Sequence, residues 1–310
     1  MAAVNLKQLA KILNLSISTV SKALRDSHEI GDATKLRVLA KAKEMDYTPN
    51  PFASGLRRNK SKTIAVVVPE VANNYFALAI NGIERIAQEN DYHVLIYLTH
   101  EDIEKEKGIM KHLENKRVDG VLMSVTMNTN NQTHLSDFQQ KGIPIVFFDR
   151  ICHEIETAKV TTDDYISGIN ATKHLIENNC KDIAFLSLGD DISIMQKRKS
   201  GYLEELHKNN MEAKPERVVK CGNDDEMNYQ LVKKLLTGIN KPDGIFASVE
   251  KLAITTYQVC RELNINIPKE VKIICFSNLE TASLLSPSLS TITQPAYNIG
   301  KTIIVWGISF

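Results

Sequence analysis

Leu6-Lys7-Gln8-Leu9-Ala10-Lys11-Ile12-Leu13, then Asn14-Leu15-Ser16, then Ile17-Ser18-Thr19-Val20-Ser21-Lys22-Ala23-Leu24 is the stretch on which the reading of the whole chain turns. Leu6, Leu9, Ala10 and Leu13 recur at three- and four-residue spacing, the signature of one apolar helix face. In the second run Val20 and Leu24 can turn inward to meet that face. Ile17, Ser18, Ser21, Lys22 and Arg25 then stay outside. The Ser16 hydroxyl suits an N-cap, and Asn14 sits where the chain must reverse, in a left-handed conformation that Asn tolerates better than most residues. The spacing predicts a helix-turn-helix whose second helix can enter a DNA major groove.

A helical hairpin alone is common, so the surroundings decide. A third helix is expected over Asp32 to Met45, with Leu36, Leu39, Ala40 and Lys43 at helical spacing. Residues 1–62 hold 8 Lys and 4 Arg against 2 Glu and 3 Asp, a net of +7. The chain of 310 residues is only +1, so its remainder is −6. A basic end on an acidic body fits phosphate contact better than general stickiness. Next comes Tyr47-Thr48-Pro49-Asn50-Pro51-Phe52-Ala53-Ser54-Gly55-Leu56-Arg57-Arg58. Asn50 is a candidate N-cap and Pro51 suits a first helical turn. A helix of barely two turns carrying Gly55 is too short to be stable alone, so it is expected to order only with outside support.

The Ser16 to Ser21 run together with Tyr47-Thr48-Pro49-Asn50 resembles the LacI family of bacterial transcription regulators, with similarity running from Val4 to about Gly300. The resemblance implies a headpiece at 1–48, a hinge helix and linker at 49–62 and an effector-binding, dimerising body at 63–310. Lobe 1 would span about 63–159 and 292–310, and lobe 2 about 160–291. It places Ser16, Ile17, Ser18, Thr19, Ser21, Lys22 and Arg25 on the DNA, Ile17 and Ser18 as the base-reading pair. Lys22 stands where the family usually has Arg, and Lys lacks the planar fork that makes Arg bidentate. From the hinge, Asn50, Ala53, Leu56 and Arg57 would join them, Leu56 as a minor-groove wedge. Arg57, Arg58, Lys60 and Lys62 would contact phosphates. The implied partners are double-stranded operator DNA, a second copy of the chain and a small, carbohydrate-derived effector.

The body reads as α/β. Short runs rich in Val, Ile and Phe at Thr63–Val68, Val94–Leu98, Val118–Ser124 and Ile145–Asp149 suit strands buried on both faces. Helices are expected at about Phe76–Asn90, Glu104–Lys116 and Thr133–Gln140. A second doubly wound parallel sheet is expected after a crossover near Val160, with strands Ile183–Leu188, Arg217–Lys220, Gly244–Ser248 and Lys272–Phe276. Its helices are expected at about Ile166–Asn178, Lys199–Asn210, Asn228–Thr237 and Leu252–Leu263, with a return crossover at Thr291–Gln294. The resemblance implies the same periplasmic-binding-protein-like pair of lobes. No apolar run approaches the ~20 residues of a membrane span, and no signal-peptide stretch opens the chain. Cys152, Cys180, Cys221, Cys260 and Cys275 are scattered and odd in number, as expected of buried thiols in a reducing cytoplasm.

Parallel sheets bind ligands at the carboxyl ends of their strands. Asn73, Tyr75 and Phe76 follow the first strand and Asp149 ends the fourth. Arg198 belongs to an Arg-x-x-Gly element that the resemblance places at the opening of a lobe 2 helix. Ser277 follows the last predicted strand, Gln294 lies at the return crossover, and Asp164 is a weaker candidate. Where the family commonly carries carboxylates, this chain has Ala247-Ser248-Val249-Glu250 and Cys275-Phe276-Ser277-Asn278. Fewer acids in the cleft would favour an anionic effector, such as a sugar phosphate or sugar acid. The closing Thr302-Ile303-Ile304-Val305-Trp306-Gly307-Ile308-Ser309-Phe310 reads as lacking helical amphipathicity, as in a truncated or altered terminus. No nucleotide-binding glycine motif, catalytic triad or metal-ligand spacing stands out, so neither an enzyme nor a cofactor is expected. Scattered histidines read as surface residues. The alternative is a solute-binding or transport protein with the same body, which the basic headpiece disfavours.

Overall fold

The computed structural model describes residues 5–47, 61–115, 117–127, 132–189 and 192–307. It divides into a unit ending at Lys60 and a unit beginning at Ser61. Apart from Ser61 and Lys62, the hinge expected at 49–62, with Asn50, Ala53, Leu56 and Arg57, lies outside the described residues.

The first unit holds α1 (Leu6–Leu13), α2 (Ile17–Ala23) and α3 (Asp32–Glu44). The α1 start has a capping box: Gln8 N donates to Asn5 Oδ1 and Asn5 N to Gln8 Oε1, each at 2.9 Å. Asn14 ends α1 in the left-handed conformation (φ 54°, ψ 43°), and the Ser16 side chain caps α2. Leu9, Leu13, Val20 and Val38 form the buried core, with Leu24 packed against it. The expected face of α3 is wrong. Leu36 and Leu39 are 69% and 49% exposed, and Ala40 and Lys43 are exposed too. Val38 and Ala42 point inward instead, with Met45 and Tyr47 behind them. The phase is held by Arg37, whose Nη2 donates to the Leu13 carbonyl at 2.5 Å.

The second unit contains two parallel five-stranded sheets. Lobe 1 runs β1 (Thr63–Val68), α4 (Asn74–Glu89), β2 (His93–Leu98), α5 (Ile103–Leu113), β3 (Gly120–Met123), α6 (Thr133–Gln140), β4 (Ile145–Phe148) and β5 (Lys159–Val160), ordered β2-β1-β3-β4-β5. Lobe 2 runs α7 (Asp164–Glu177), β6 (Ile183–Leu188), α8 (Ser193–Lys208), β7 (Val218–Cys221), α9 (Asp225–Thr237), β8 (Gly244–Ala247), α10 (Glu250–Glu262), β9 (Lys272–Phe276) and β10 (Ser290–Ile292), ordered β10-β9-β8-β6-β7. Both sheets have a short edge strand, β5 and β10, where only crossovers were expected. Central strands such as β1 are wholly buried. The edge strand β2 is not, and its Leu95 and Ile96 are 43% and 46% exposed. All five cysteines are free and buried.

Two further corrections concern helices. α8 starts at Ser193, six residues earlier than expected, so Arg198 lies inside a helix and does not open one. The last stretch continues α11 (Ala296–Gly307), which buries Ile299, Ile303 and Ile304 against lobe 1. Its apolar face is real, because Ala296, Ile299 and Ile303 recur at helical spacing once the helix is counted from Ala296. Val305 and Trp306 are exposed.

The same device packs a helix pair in each lobe. A Cβ on Gly300 would stand 2.0 Å from the Ala79 carbonyl oxygen, and one on Gly82 2.1 Å from that of Tyr297. Between α7 and α8, a Cβ on Gly201 would stand 2.2 Å from the Tyr165 carbonyl oxygen, and one on Gly168 2.5 Å from that of Arg198. Backbone cannot give way as a flexible side chain can, so these helices cross only through glycine. Gly201→Ala should therefore destabilise the body by about 1–3 kcal/mol through overpacking. Urea unfolding measures it, and an unchanged midpoint would contradict the close crossing.

Candidate functional site

Two regions carry candidate chemistry. On the headpiece, Ser16, Ile17, Ser18 and Arg25 are exposed, and Thr19, Ser21 and Lys22 are half-buried. Ser16 Oγ accepts from Thr19 N at 3.0 Å and lies 2.8 Å from the Thr19 hydroxyl, so this pair builds the helix start. Ile17 and Ser18 are left outward on the first turn. The Lys22 ammonium donates to Glu29, which holds the Glu29 carboxyl below its usual range. Arg25 donates from Nε to the Ser21 carbonyl at 2.9 Å and from Nη2 to the Ser21 hydroxyl at 3.0 Å. Such exposed pairs contribute little and are readily exchanged for phosphate or base contacts. Lys62, expected to contact phosphate, is engaged within the body. Its Nζ stands 4.4 Å from the Tyr92 ring centroid and donates to the Asn90 carbonyl at 3.1 Å.

In the body, Asn73, Tyr75, Phe76, Asp149, Arg198, Ser277 and Gln294 all line one cavity of about 50 Å³ between the lobes. They come together because each follows a strand carboxyl end or, for Arg198, faces one from α8. Asn73 caps α4, accepting from Tyr75 N at 2.9 Å. Tyr75 and Phe76 meet edge to face, with centroids 5.4 Å apart. Burial pushes the Tyr75 phenol well up. Arg198 is 2% exposed. Its Nε and Nη2 each lie 2.8 Å from Asp164 Oδ1, its Nη1 donates to the Ser248 carbonyl at 2.6 Å, and its guanidinium stacks 3.6 Å from the Phe276 ring centroid. Asp164 is thus the buried partner of Arg198 and does not itself line the cavity. Gln294 Nε2 donates to Thr162 Oγ1 at 3.0 Å, and the Gln294 backbone carbonyl accepts from Asn278 Nδ2 at 2.7 Å, so this residue ties the two crossovers together.

Asp149 is the strained member. Its φ of 58° lies in the left-handed region that a non-glycine residue enters at a cost, and such strain gathers at functional sites. Burial pushes its carboxyl up to about 6, against the opposing pull of Arg150 and Arg198.

Sequence reasoning missed Glu250. It lines the cavity, accepts from the Ser277 hydroxyl and takes a 3.3 Å hydrogen bond from Asn74 Nδ2 across the cleft. The carboxylate that seemed lost from this strand end is therefore present, two residues beyond Ser248, and the premise of an acid-poor cleft fails. The short reach from Ser248 to the first residue of α10 was the available signal. Arg150 was also passed over. It lines this cavity and an adjoining one of about 230 Å³ that includes Thr126, Cys152 and Gln196. That second cavity shares His153, Ser193 and Gln196 with a third of about 660 Å³. Nearby, His134 is no surface histidine: its Nε2 lies 2.9 Å from the fully buried Glu106, which also accepts from Thr126 N at 2.8 Å.

The family model for periplasmic binding proteins and the sugar binding domain of the LacI family matches residues 61–304, and that for bacterial regulatory proteins of the lacI family matches residues 5–50. The chain belongs to the LacI family. The ribose operon repressor of Haemophilus influenzae is 28% identical over 300 residues, spanning 96% of this chain and 89% of that protein. Catabolite control protein A of Priestia megaterium is 27% identical over the same shares, 96% and 89%. Among solved structures, the lac repressor dimer bound to operator and an anti-inducer has the same fold, with a TM-score of 0.83 at 18% identity over 98% of this chain and 91% of that one. These LacI-family relatives are transcriptional regulators, not enzymes. No helix among the described residues is long and apolar enough to cross a membrane.

The strain and burial at Asp149 have a pH signature. The folded protein holds this proton up to about pH 6, whereas the ordinary value is 3.8. Stability associated with the group is therefore greatest below pH 4, falls as pH rises to 6 and stays low above it. Asp149→Asn should raise the melting temperature by several degrees at pH 7.5, on the order of 2–3 kcal/mol. The gain should shrink steadily between pH 6 and pH 4 in calorimetric scans; a gain independent of pH would refute the assignment.

Proposed function

We propose that this chain is a cytoplasmic, DNA-binding transcriptional regulator that acts as a homodimer on a pseudo-palindromic operator and changes its DNA affinity when a small carbohydrate fills the cleft. One observation carries the ligand half: seven side chains from strand ends and α8, distant in sequence, converge on a single cavity between the lobes. Such convergence of polar groups and aromatic walls at strand carboxyl ends is what a ligand site requires. Ribose and cellobiose named in related regulators and their complexes support a sugar or sugar derivative. The DNA half rests on the outward Ile17, Ser18 and Lys22 of α2 and on Arg25 just beyond its end, with Val20 and Ala23 of the same helix in the core. Ser16, Thr19 and Ser21 would shape that helix start and contact the backbone, while Asn50, Ala53, Leu56 and Arg57 would act from the linker.

Ligand and DNA would be linked through the relative disposition of the lobes, each site biasing the other by the same coupling free energy. Gel-shift titration on promoter DNA, with and without neutral sugars, tests the reading. A sequence-specific complex that one sugar weakens or strengthens is the expected result. Absence of any sequence-specific complex would return the chain to the solute-binding alternative. On the preferred site, Lys22→Ala should cost about 1–3 kcal/mol if the ammonium reaches a base, relaxing specificity at one position. If it reaches a phosphate, the loss should be uniform across sequences and the salt slope should fall by about one. Fluorescence anisotropy at several salt concentrations distinguishes these, and unchanged affinity would remove Lys22 from the interface.

A further inference from the structure

The cations of the cleft are already matched. Arg198 commits three of its five N–H donors, two to Asp164 and one to the Ser248 carbonyl, with its face on Phe276. Arg150 Nη1 donates to Glu101 at 2.5 Å, and its Nε stands 3.9 Å from Asp149 Oδ2. Among the charged side chains lining the 50 Å³ cavity and their ion-pair partners, four carboxylates (Asp149, Glu250, Asp164 and Glu101) meet two guanidiniums. The surplus is acidic, and Glu250 places one of its charges beside Ser277 and Asn74, between the lobes.

Two buried atoms here lack hydrogen-bond partners among the described residues. One is a donor, Arg150 Nε, on a residue 7% exposed; the other is an acceptor, Asn278 Oδ1. Buried polar atoms of this kind call for a partner. With the carboxylates of Asp149 and Glu250, they present an unpartnered donor atom and several acceptors. A hydroxyl both donates and accepts, so it can satisfy all of them. A phosphate or carboxylate only accepts, and would set like charges together in a site shielded from water, an arrangement that binding sites use to exclude wrong partners.

We propose that Glu250 sets the charge class of the effector: the cleft takes an uncharged, hydroxyl-rich ligand and rejects phosphorylated or carboxylated ones. This rests on the carbohydrate reading above and narrows it. The test is calorimetric titration of the full-length protein with ribose, glucose and cellobiose, against ribose 5-phosphate, glucose 6-phosphate and gluconate, repeated with Glu250→Gln. A neutral sugar should bind at least ~30-fold more tightly than its anionic counterpart, and Glu250→Gln, which keeps the acceptor and removes the charge, should narrow that ratio roughly tenfold. Preference of the parent for an anionic member, or an unchanged ratio in the variant, overturns the proposal. Inorganic phosphate supplies a separate arm that needs no sugar. It should not raise the melting temperature beyond chloride at equal ionic strength; a phosphate-specific rise that Arg150→Met abolishes also overturns the proposal. If no sugar of either kind binds, the carbohydrate reading falls and the phosphate arm alone decides the charge rule.

Discussion

The pairing of Arg198 with Asp164 is the constraint on which lobe 2's side of the cleft depends. Both groups are buried, and the guanidinium also takes the Ser248 carbonyl and the Phe276 ring. One side chain on α8 thus fastens the start of α7 and the carboxyl ends of β8 and β9. A buried ion pair adds little net stability over an apolar replacement, but losing one partner strands a charge at a cost of about 3–5 kcal/mol. Its main effect is therefore positional. The glycine crossing of α7 and α8 sets the helix at the depth from which Arg198 reaches all of these groups, since Gly168 lies directly beneath the Arg198 backbone.

Lobe 1 mirrors this logic with different chemistry. Its glycine-mediated crossing joins α4 to α11, so the start of α4 is braced by a helix added after the chain has returned from lobe 2. Asn73, Tyr75 and Phe76 at that start are held by the Asn73 cap and the ring contacts to Phe148. Glu101 Oε2 and Glu106 Oε2 accept from Met127 N and Thr126 N, pinning the segment after β3 that borders the neighbouring cavity. Each lobe presents a rigid ledge, and the cleft is the gap between two ledges.

Much of this was legible in the sequence because buried parallel strands announce themselves as β-branched runs, and ligand groups follow their ends. Asn73, Asp149 and Ser277, picked out by that rule together with the family resemblance, line one cavity. The misses share a cause, which is that tertiary packing decides what local pattern leaves open. On α3, the apolar residues outnumber what three short helices can bury, so the pattern could not say that Val38 and Ala42 win over Leu36 and Leu39. The start of α8 holds only Ile194 and Met195 as apolar residues before Arg198 and has no side-chain cap, too little for an amphipathic signal. β5 and β10 are two and three residues long, too short for any alternation to register. Glu250 escaped because it was weighed by its alignment to a family pattern, whereas its role depends on Asn74 standing opposite, 176 positions away.

The dimensions of the cleft bear on how it could signal. Ligand pockets usually offer about 300–1,000 Å³, and this cavity of about 50 Å³ has space for no more than a few waters. Among the described residues, the 3.3 Å bond from Asn74 to Glu250, the Gln294–Thr162 bond and Met127 of lobe 1 packed on the apolar cluster of lobe 2 help hold the lobes at that separation. A sugar-sized effector in the proposed site would need more room than this cavity offers, so the lobes would have to stand farther apart to admit it. Its apparent affinity is reduced by whatever fraction of molecules has the wider cleft. That reduction is also the source of control. A ligand equally at home in both separations would move nothing, however tightly it bound. Because the groups it must satisfy lie on both ledges, Asp149 and Arg150 on one and Glu250 and Asn278 on the other, its binding energy depends directly on how far apart the lobes stand.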